Sequence, residues 1–200
     1  MIRSARTTWA VLLGLAGALG AAPAPEAKAP QKPQEALIET PKGTLVVRLL
    51  PELAPLHVAH FIKTARAGGY DGTTFHRIIM GGIIQGGDPL SKDPKQSARY
   101  GTGGLGLLKA EFSERPFARG VLAAVLRPGA RNSGGTQFFI VLREQPALKG
   151  QYTIFGEVVS GLELADQISL TPVDGDKAKE RVEMKVTIRD APDPAPSAAP

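Results

Sequence analysis

Short β-prone segments separated by turn-forming residues fill the centre of this sequence, and they restrict it to folds built from many short strands. The 200 residues include 23 glycines and 17 prolines, well above their usual combined share of about 12%. The predicted strands are 36–40, 44–50, 73–79, 83–85, 120–126, 136–142, 153–159 and 182–188. With so many strands and so few helical segments, we predict a closed or nearly closed β-barrel.

Two segments have a helical pattern. Four apolar residues recur at i, i+3, i+4 and i+7 from Val58 to Ala65, between Pro55 near the start and Gly68 after the end. This spacing predicts an amphipathic helix with one face on the barrel. A second, shorter helix is predicted over residues 162–168.

The first 22 residues have the organisation of a secretory signal peptide. Arg3 and Arg6 precede an apolar run of eleven residues, 9–19, and small residues follow at 20–22. A membrane-spanning helix needs about 20 apolar residues, so no stable membrane span is expected. We therefore predict export to the periplasm or the exterior, with an uncleaved membrane anchor as the less favoured alternative.

Stretches rich in proline and alanine flank the remaining chain. Residues 23–36 are interpreted as a linker and residues 190–200 as a disordered tail, because neither contains enough apolar surface to bury. Residues 37–189 contain no further linker, so they are predicted to form one domain.

The inventory of reactive residues excludes several kinds of chemistry. The chain has no cysteine, which removes disulfides, thiolate nucleophiles and cysteine-ligated zinc. His57 and His60 are three residues apart on the predicted helix, but no acidic cluster accompanies them, and we interpret both as surface or boundary residues. The run 101–106 has the spacing G-x-G-x-x-G without the flanking strand and helix of a dinucleotide site. No metal and no cofactor are therefore expected.

The net charge gives little support to nucleic-acid binding. Removal of residues 1–22 lowers the formal net charge from +5 to +3, and basic and acidic residues are interspersed along the rest of the chain. A nucleic-acid binder would concentrate its lysines and arginines on one stripe or tail. No nucleic-acid partner is expected.

Polar residues inside predicted strands are the remaining candidates for function. Strand alternation places Phe75, Arg77 and Ile79 on one face, and it pairs Ile83 with Gln85. Gln137 and Phe139 share a face in the same way. Arginine and glutamine seldom point inward among apolar neighbours without a hydrogen-bonding role. On the pattern alone, an outward-pointing Arg77 and a loop-capping Gln137 remain slightly favoured over a functional site.

The segment FHRIIMGGIIQGGD, residues 75–88, resembles the signature of the cyclophilin-type peptidyl-prolyl cis–trans isomerases. Further similar segments follow in the family's order, and they are GTGG at 101–104, RGVL at 119–122, GTQFFI at 135–140 and FGEV at 155–158. The resemblance covers about residues 37–189. It implies a mainly β fold, an eight-stranded antiparallel barrel capped by two α-helices, with a cofactor-free active site on its outer surface.

The resemblance also implies roles for individual residues. Arg77 would be the catalytic residue, and the substrate-binding residues would be Ile83, Gln85, Gln137, Phe139, Leu148 and Tyr152. The partners would be proline-containing polypeptides. Together with the signal-peptide pattern of residues 1–22, this predicts a monomer that assists protein folding outside the cytoplasm.

Two residues depart from the family's pattern. Gly82 stands where the family usually has a phenylalanine of the proline pocket, and Ala147 stands where many members have tryptophan. From Gly82 we expect a shallower pocket, with activity that is either reduced or dependent on longer substrates. These departures keep one alternative open, a peptide-binding scaffold on a cyclophilin-like barrel without useful turnover.

Overall fold

The computed structural model describes residues 32–192. The predicted signal peptide, residues 23–31 of the predicted linker and residues 193–200 of the predicted tail lie outside the described residues. No helix within residues 32–192 is long and apolar enough to cross a membrane.

The described chain forms ten β-strands and two α-helices. Both helices and eight of the strands lie close to the predicted positions, whereas two strands of two residues each are not predicted by the sequence pattern. The strands are β1 (Gln34–Thr40), β2 (Gly43–Leu49), β3 (Thr73–Ile79), β4 (Ile83–Gly86), β5 (Val121–Ala124), β6 (Phe138–Val141), β7 (Ile154–Ser160), β8 (Val173–Asp174), β9 (Lys177–Ala178) and β10 (Glu183–Asp190). The helices are α1 (Pro55–Arg66) and α2 (Leu162–Ser169). Three short 3₁₀ helices, which the pattern does not predict, span Pro89–Lys92, Pro94–Arg99 and Pro146–Leu148.

Eight of these strands form a closed antiparallel barrel. Their order is β10-β1-β2-β7-β5-β6-β4-β3, and pairing of β3 with β10 closes the ring. The two short strands β8 and β9 form a hairpin that pairs with β3 outside the ring, with Arg77 opposite Lys177. The predicted eight-stranded antiparallel barrel with two helices is therefore confirmed.

An aromatic cluster fills the barrel beneath α1. The ring of Phe61 lies 4.9 Å from that of Tyr70 and 5.4 Å from that of Phe155, while Phe138 meets Phe75 edge to face at 6.1 Å. The Tyr70 hydroxyl donates to the carbonyl of Thr136 at 3.1 Å, and burial raises the pKa of Tyr70. Buried aromatic rings contribute large apolar areas, so this cluster holds α1 against the barrel.

A second apolar cluster lies outside the barrel interior, on the other face of the same strands. Phe117, Phe139 and Ile154 are at its centre, and all three are almost fully buried. Because side chains alternate between the two faces of a strand, β5 and β6 supply residues both to the barrel interior and to this second cluster.

The N-terminus of α1 is capped by a residue that is distant in sequence. Ala54, the residue before the helix, makes no side-chain cap. Instead the Glu111 carboxylate accepts hydrogen bonds from the backbone N–H groups of Leu56 and His57, at 2.9 and 3.0 Å, and from His57 Nδ1 at 2.6 Å. A carboxylate is favoured at a helix N-terminus, where the orphan N–H groups and the helix dipole attract negative charge.

The interpretation of His57 as a surface or boundary residue is wrong. Its exposed fraction is only 3%, because Glu111 provides a hydrogen-bond partner that the sequence pattern does not reveal. Burial opposes ionisation of Glu111, but the hydrogen bonds from the His57 ring and the two backbone N–H groups outweigh it and lower the pKa of this carboxyl.

Replacing Glu111 by glutamine keeps the size of the side chain and removes its charge. We expect Glu111→Gln to lower the free energy of unfolding by about 1–2 kcal/mol at pH 7, because charged hydrogen bonds at the helix terminus are lost. Folding lowers the pKa of Glu111 from its ordinary value of 4.5. Its stabilisation is therefore present above pH 4.5 and is lost as the pH falls through the folded-state pKa.

Urea unfolding of the wild type and of Glu111→Gln, at neutral and at acidic pH, measures the difference in their free energies of unfolding. Glu114→Gln is the matched control, since the Glu114 side chain is 87% exposed. We expect the control to stay close to wild type at each pH. An equal loss in the two variants, or a loss for Glu111→Gln that persists in acid, would contradict the capping role.

Candidate functional site

A groove with a volume of about 760 Å³ runs over the second apolar cluster, on the outside of the barrel. Six of the seven predicted site residues line it, and these are Arg77, Ile83, Gln85, Phe139, Leu148 and Tyr152. The other lining residues include Ile79, Gly82, Tyr100, Thr102, Val125 and Leu126. The fold thus brings together residues that are up to 75 positions apart in sequence.

Aromatic contacts make the floor of the groove rigid. The ring of Phe139 packs edge to face against Tyr152 at 5.4 Å and stacks on Phe117 at 6.3 Å. Phe139 lies in β6 between β4 and β5, opposite Gln85 on one side and Ala123 on the other. Ile83 and Leu148 pack on the same cluster. The floor is therefore a preformed apolar surface, of the kind that binds a compact apolar group.

The predicted common face of Phe75, Arg77 and Ile79 is wrong, because a β-bulge interrupts β3. The register shifts between Phe75, which is opposite Gly86, and Arg77, which is opposite Gln85. Phe75 consequently lies in the barrel core, whereas Arg77 and Ile79 line the groove. A bulge adds one residue to a strand and so changes which side chains share a face.

The guanidinium group of Arg77 is held from two directions. Its Nε donates to Asp176 Oδ2 at 2.6 Å, and its Nη1 donates to Gln85 Oε1 at 3.2 Å. No hydrogen bond within the described residues involves Nη2. The rigid, planar guanidinium can be anchored along one edge while another edge stays available for a further acceptor.

A series of hydrogen bonds continues from Arg77 into the protein. Gln85 Nε2 donates to Gln137 Oε1 at 3.0 Å, and Gln137 Nε2 donates to the carbonyl of Gly103 at 2.7 Å. Because arginine can only donate, it sets the orientation of both amide groups behind it. Among the predicted site residues Gln137 alone does not line the groove. It is 0% exposed and contacts the groove residues through Gln85.

The glycine-rich loop at the end of this series is held by Asp88, which is fully buried. Its carboxylate accepts from the backbone N–H groups of Gly101 and Gly103, at 2.5 and 3.2 Å. A Cβ atom at Gly103 would collide with Asp88 Oδ1, so only glycine fits there. The spacing of these glycines thus serves a tight loop beside the groove.

Sequence reasoning missed Asp176, the ionic partner of Arg77. The hairpin that carries it has strands of only two residues, too short for an alternating pattern. The dipeptide Asp174-Gly175 is nevertheless a hairpin signal, and Gly175 adopts a positive φ of 62°. The backbone carbonyl of Asp176 also accepts from the N–H of Ile78 at 2.8 Å, which fixes the hairpin beside Arg77.

The two atypical positions differ in their relation to the groove. Gly82 lines it, and a Cβ atom at this residue would lie 3.0 Å from Ile79 Cγ2. Ala147 is exposed and does not line the groove. Only Gly82 therefore bears directly on the shape of the apolar floor.

Comparison with known sequences identifies one family. Residues 36–192 match the family described as cyclophilin type peptidyl-prolyl cis-trans isomerase/CLD. Peptidyl-prolyl cis-trans isomerase B of Bacillus subtilis is 44% identical over 137 residues, which cover 68% of this chain and 87% of that protein. A peptidyl-prolyl cis-trans isomerase of Synechococcus elongatus is 40% identical over 124 residues, covering 62% and 79% of the two chains.

Solved structures have the same architecture. The crystal structure of a cyclophilin type peptidyl-prolyl cis-trans isomerase of Cryptosporidium parvum superposes with a TM-score of 0.70 at 30% identity. The match covers 80% of this chain and 99% of that one. A second structure of that protein, determined in the presence of the dipeptide Ala-Pro, has the same TM-score and identity and covers 78% and 99% of the two chains.

Asp176→Asn tests whether the ion pair immobilises Arg77. The substitution keeps the shape of the side chain but removes the charge, so the bond to Arg77 Nε weakens. We expect exchange of the Arg77 Nε proton with water to become about tenfold faster, as for the loss of one charge-assisted hydrogen bond. Proton-exchange NMR of arginine side chains measures this rate.

Asp174→Asn is the matched control, because it changes the same hairpin without touching the ion pair. Its Arg77 Nε exchange should stay close to that of wild type. Equal acceleration in both variants would mean that the hairpin, rather than the carboxylate of Asp176, restrains the guanidinium.

Proposed function

This chain belongs to the cyclophilin-type peptidyl-prolyl cis–trans isomerases, and we propose that it accelerates X-Pro rotation in exported polypeptides as they fold outside the cytoplasm. The isomerase activity follows from the family. We further propose where in the cell the protein acts, which polypeptides it acts on, and what each groove residue does. The observation that carries the residue roles is the doubly anchored Arg77 beside a preformed apolar floor.

Rotation of an X-Pro bond requires no nucleophile, metal or redox group. Amide resonance opposes rotation with a barrier of ~18–20 kcal/mol, and uncatalysed exchange takes tens to hundreds of seconds. An enzyme accelerates this exchange when it binds the twisted amide more tightly than either planar form. The protein must therefore hold the proline ring and stabilise the charge distribution that exists only in the twisted state.

Arg77 stabilises the charge distribution of the twisted amide. As the bond twists, the prolyl nitrogen loses conjugation, becomes pyramidal and gains basicity, so that it accepts a hydrogen bond from a cationic donor. The anchors on Nε and Nη1 hold the guanidinium in place before the substrate arrives, so little reorganisation is needed at the transition state.

The apolar floor of the groove holds the proline ring. Ile83, Phe139 and Leu148 enclose the proline ring, and Tyr152 lies at its edge. Gln85 orients Arg77 by accepting its Nη1–H, and Gln137 in turn orients Gln85. With the ring fixed by the floor, the segment on the other side of the amide rotates.

Three features of the sequence support action outside the cytoplasm. The first 22 residues have a signal-peptide pattern, the next residues have the composition of a linker, and the chain lacks cysteine. A domain without cysteine folds in an oxidising compartment with no risk of wrong disulfides. We extend the proposal to a monomer that binds proline-containing polypeptides, such as the Ala-Pro dipeptide present with the Cryptosporidium parvum relative.

Arg77→Ala tests the catalytic role. We expect kcat/KM on a short X-Pro peptide to fall about a hundredfold, as when a preorganised donor to the transition state is removed. Arg77→Lys should lose less, because lysine retains the charge without the two-directional anchoring. Exchange NMR on the peptide measures turnover, and titration of the same peptide measures binding.

Arg66→Ala, which removes an arginine at the end of α1, is the control and should retain wild-type turnover. Equal rates for Arg77→Ala and wild type would remove Arg77 from the mechanism. Peptide binding by the wild type without any acceleration of exchange would establish the scaffold alternative.

Gly82→Phe tests the effect of the missing apolar side chain. The backbone of Gly82 is not in the left-handed region. An added Cβ atom would lie 3.0 Å from Ile79 Cγ2 and 3.3 Å from the Ile79 carbonyl oxygen, so both must move by a few tenths of an ångström. We expect kcat/KM on short peptides to rise about tenfold, because the added ring buries apolar area against the substrate. Gly82→Ala, which adds only the Cβ atom, should have a much smaller effect.

A further inference from the structure

A second cavity, of about 380 Å³, adjoins the groove on the far side of Arg77. The two cavities share Arg77, Tyr100 and Gly101 as a common wall. One side of the second cavity is formed by the 3₁₀ helix Pro94–Arg99 and the other by the β8–β9 hairpin. A polypeptide bound in the groove therefore passes directly beside this cavity.

A buried polar side chain without a partner lines the second cavity. His76 is only 5% exposed; the backbone of Thr74 lies near its ring, but neither ring nitrogen meets the geometry of a hydrogen bond to a described residue. Its ring packs edge to face against Tyr100 at 6.1 Å. Burial lowers the pKa of His76, so the ring is neutral at pH 7, with one donor and one acceptor. Such groups are rarely left unpaired in folded proteins, since each costs about 1–3 kcal/mol.

The charged residues around the cavity leave positive charge uncompensated. The Asp176 carboxylate is already paired with Arg77. Lys177 and Lys179 line the cavity, and neither forms an ion pair within the described residues. Asp174, opposite Lys177 across the hairpin, is the other acid of the lining, so the lining retains one net positive charge. The 3₁₀ helix that forms the opposite wall carries a further lysine and an arginine and no acidic residue. An anionic group is therefore the charged occupant that this cavity favours.

We propose that the second cavity is a subsite for an acidic side chain of the client polypeptide, held close to the proline in the groove. The carboxylate lies against Lys177 and Lys179, and the body of the side chain extends over His76 and Tyr100. Because a residue spans at most ~3.6 Å of chain, a side chain within three positions of the proline reaches across Arg77. The inference rests on the proposed isomerase site, and it adds that this site prefers substrates with an acidic residue near the proline.

A positional scan tests the subsite. The probes are peptides with one proline in an alanine and glycine host, carrying a single glutamate at each of the three positions on either side. Each is compared with its glutamine counterpart by exchange NMR at low and at high salt. At one position, or at two neighbouring ones, we expect the glutamate peptide to have about 3- to 10-fold higher kcat/KM than the glutamine peptide at low salt. This ratio should be smaller at high salt.

The pattern along the peptide distinguishes a subsite from a general attraction. A similar gain at all six positions would reflect the field of the whole surface and would overturn the proposal, as would no gain at any position. The peptide without glutamate or glutamine reports the isomerase activity by itself. If that peptide is not accelerated, the proposed function fails; if it is accelerated without positional preference, only the subsite fails.

Reversing the charges of the two cavity lysines tests whether they cause the preference for glutamate. In the double variant Lys177→Glu/Lys179→Glu we expect the preference for glutamate over glutamine to disappear or invert at the sensitive position. The control Lys42→Glu/Lys185→Glu makes the same change of net charge at two exposed lysines that do not line either cavity. An equal loss of preference in the two double variants would overturn the proposal.

The His76 ring provides an independent readout. On saturation with the preferred glutamate peptide we expect the ring nitrogen signals of His76 to shift in NMR spectra, and to shift much less with its glutamine counterpart. His57, which is buried beside Glu111 and lines neither cavity, is the internal control. An unchanged His76 signal would mean that the acidic side chain binds elsewhere.

Discussion

The guanidinium of Arg77 can donate hydrogen bonds but cannot accept them, and the site depends on this constraint. Gln85 must turn its oxygen toward Arg77, so its amide nitrogen faces Gln137, and the nitrogen of Gln137 then faces the carbonyl of Gly103. Each amide has one orientation that satisfies both neighbours. The half-buried guanidinium of Arg77 is thus connected to the glycine-rich loop that the buried Asp88 holds, and the position of the guanidinium is set before a substrate binds.

The barrel makes this arrangement possible because one face of a strand contributes to the stabilising core and the opposite face contributes to the functional groove. Inward residues of β5 and β6 fill the barrel, while their outward neighbours form the floor of the groove. The bulge in β3 places Phe75 in the core and Arg77 at the groove. Neither a metal nor a covalent intermediate is needed for X-Pro rotation, so the protein's contribution is a rigid apolar surface and one well-placed donor.

The sequence predicted most of the fold because its signals are local. The strand and helix patterns identified the eight barrel strands and both helices, and the ordered motifs identified six of the residues that line the groove. Prediction failed where the deciding partner was distant in sequence. The burial of His57 depends on Glu111, 54 positions away, and the anchoring of Arg77 depends on Asp176, 99 positions away. Strand alternation also failed at Arg77, since an alternating pattern does not reveal a bulge.

By itself the sequence determined the class of fold, the family and the residue types available for chemistry, because periodicity, turn residues and motif order are properties of the chain alone. The tertiary structure decided how those residues cooperate. It alone placed Asp176 against Arg77, turned Gln137 inward behind Gln85, and formed a second cavity over His76. Hydrogen bonds and ion pairs form only when donor and acceptor lie about 3 Å apart, to within a few tenths of an ångström. Only the closed barrel brings atoms of remote segments to that separation.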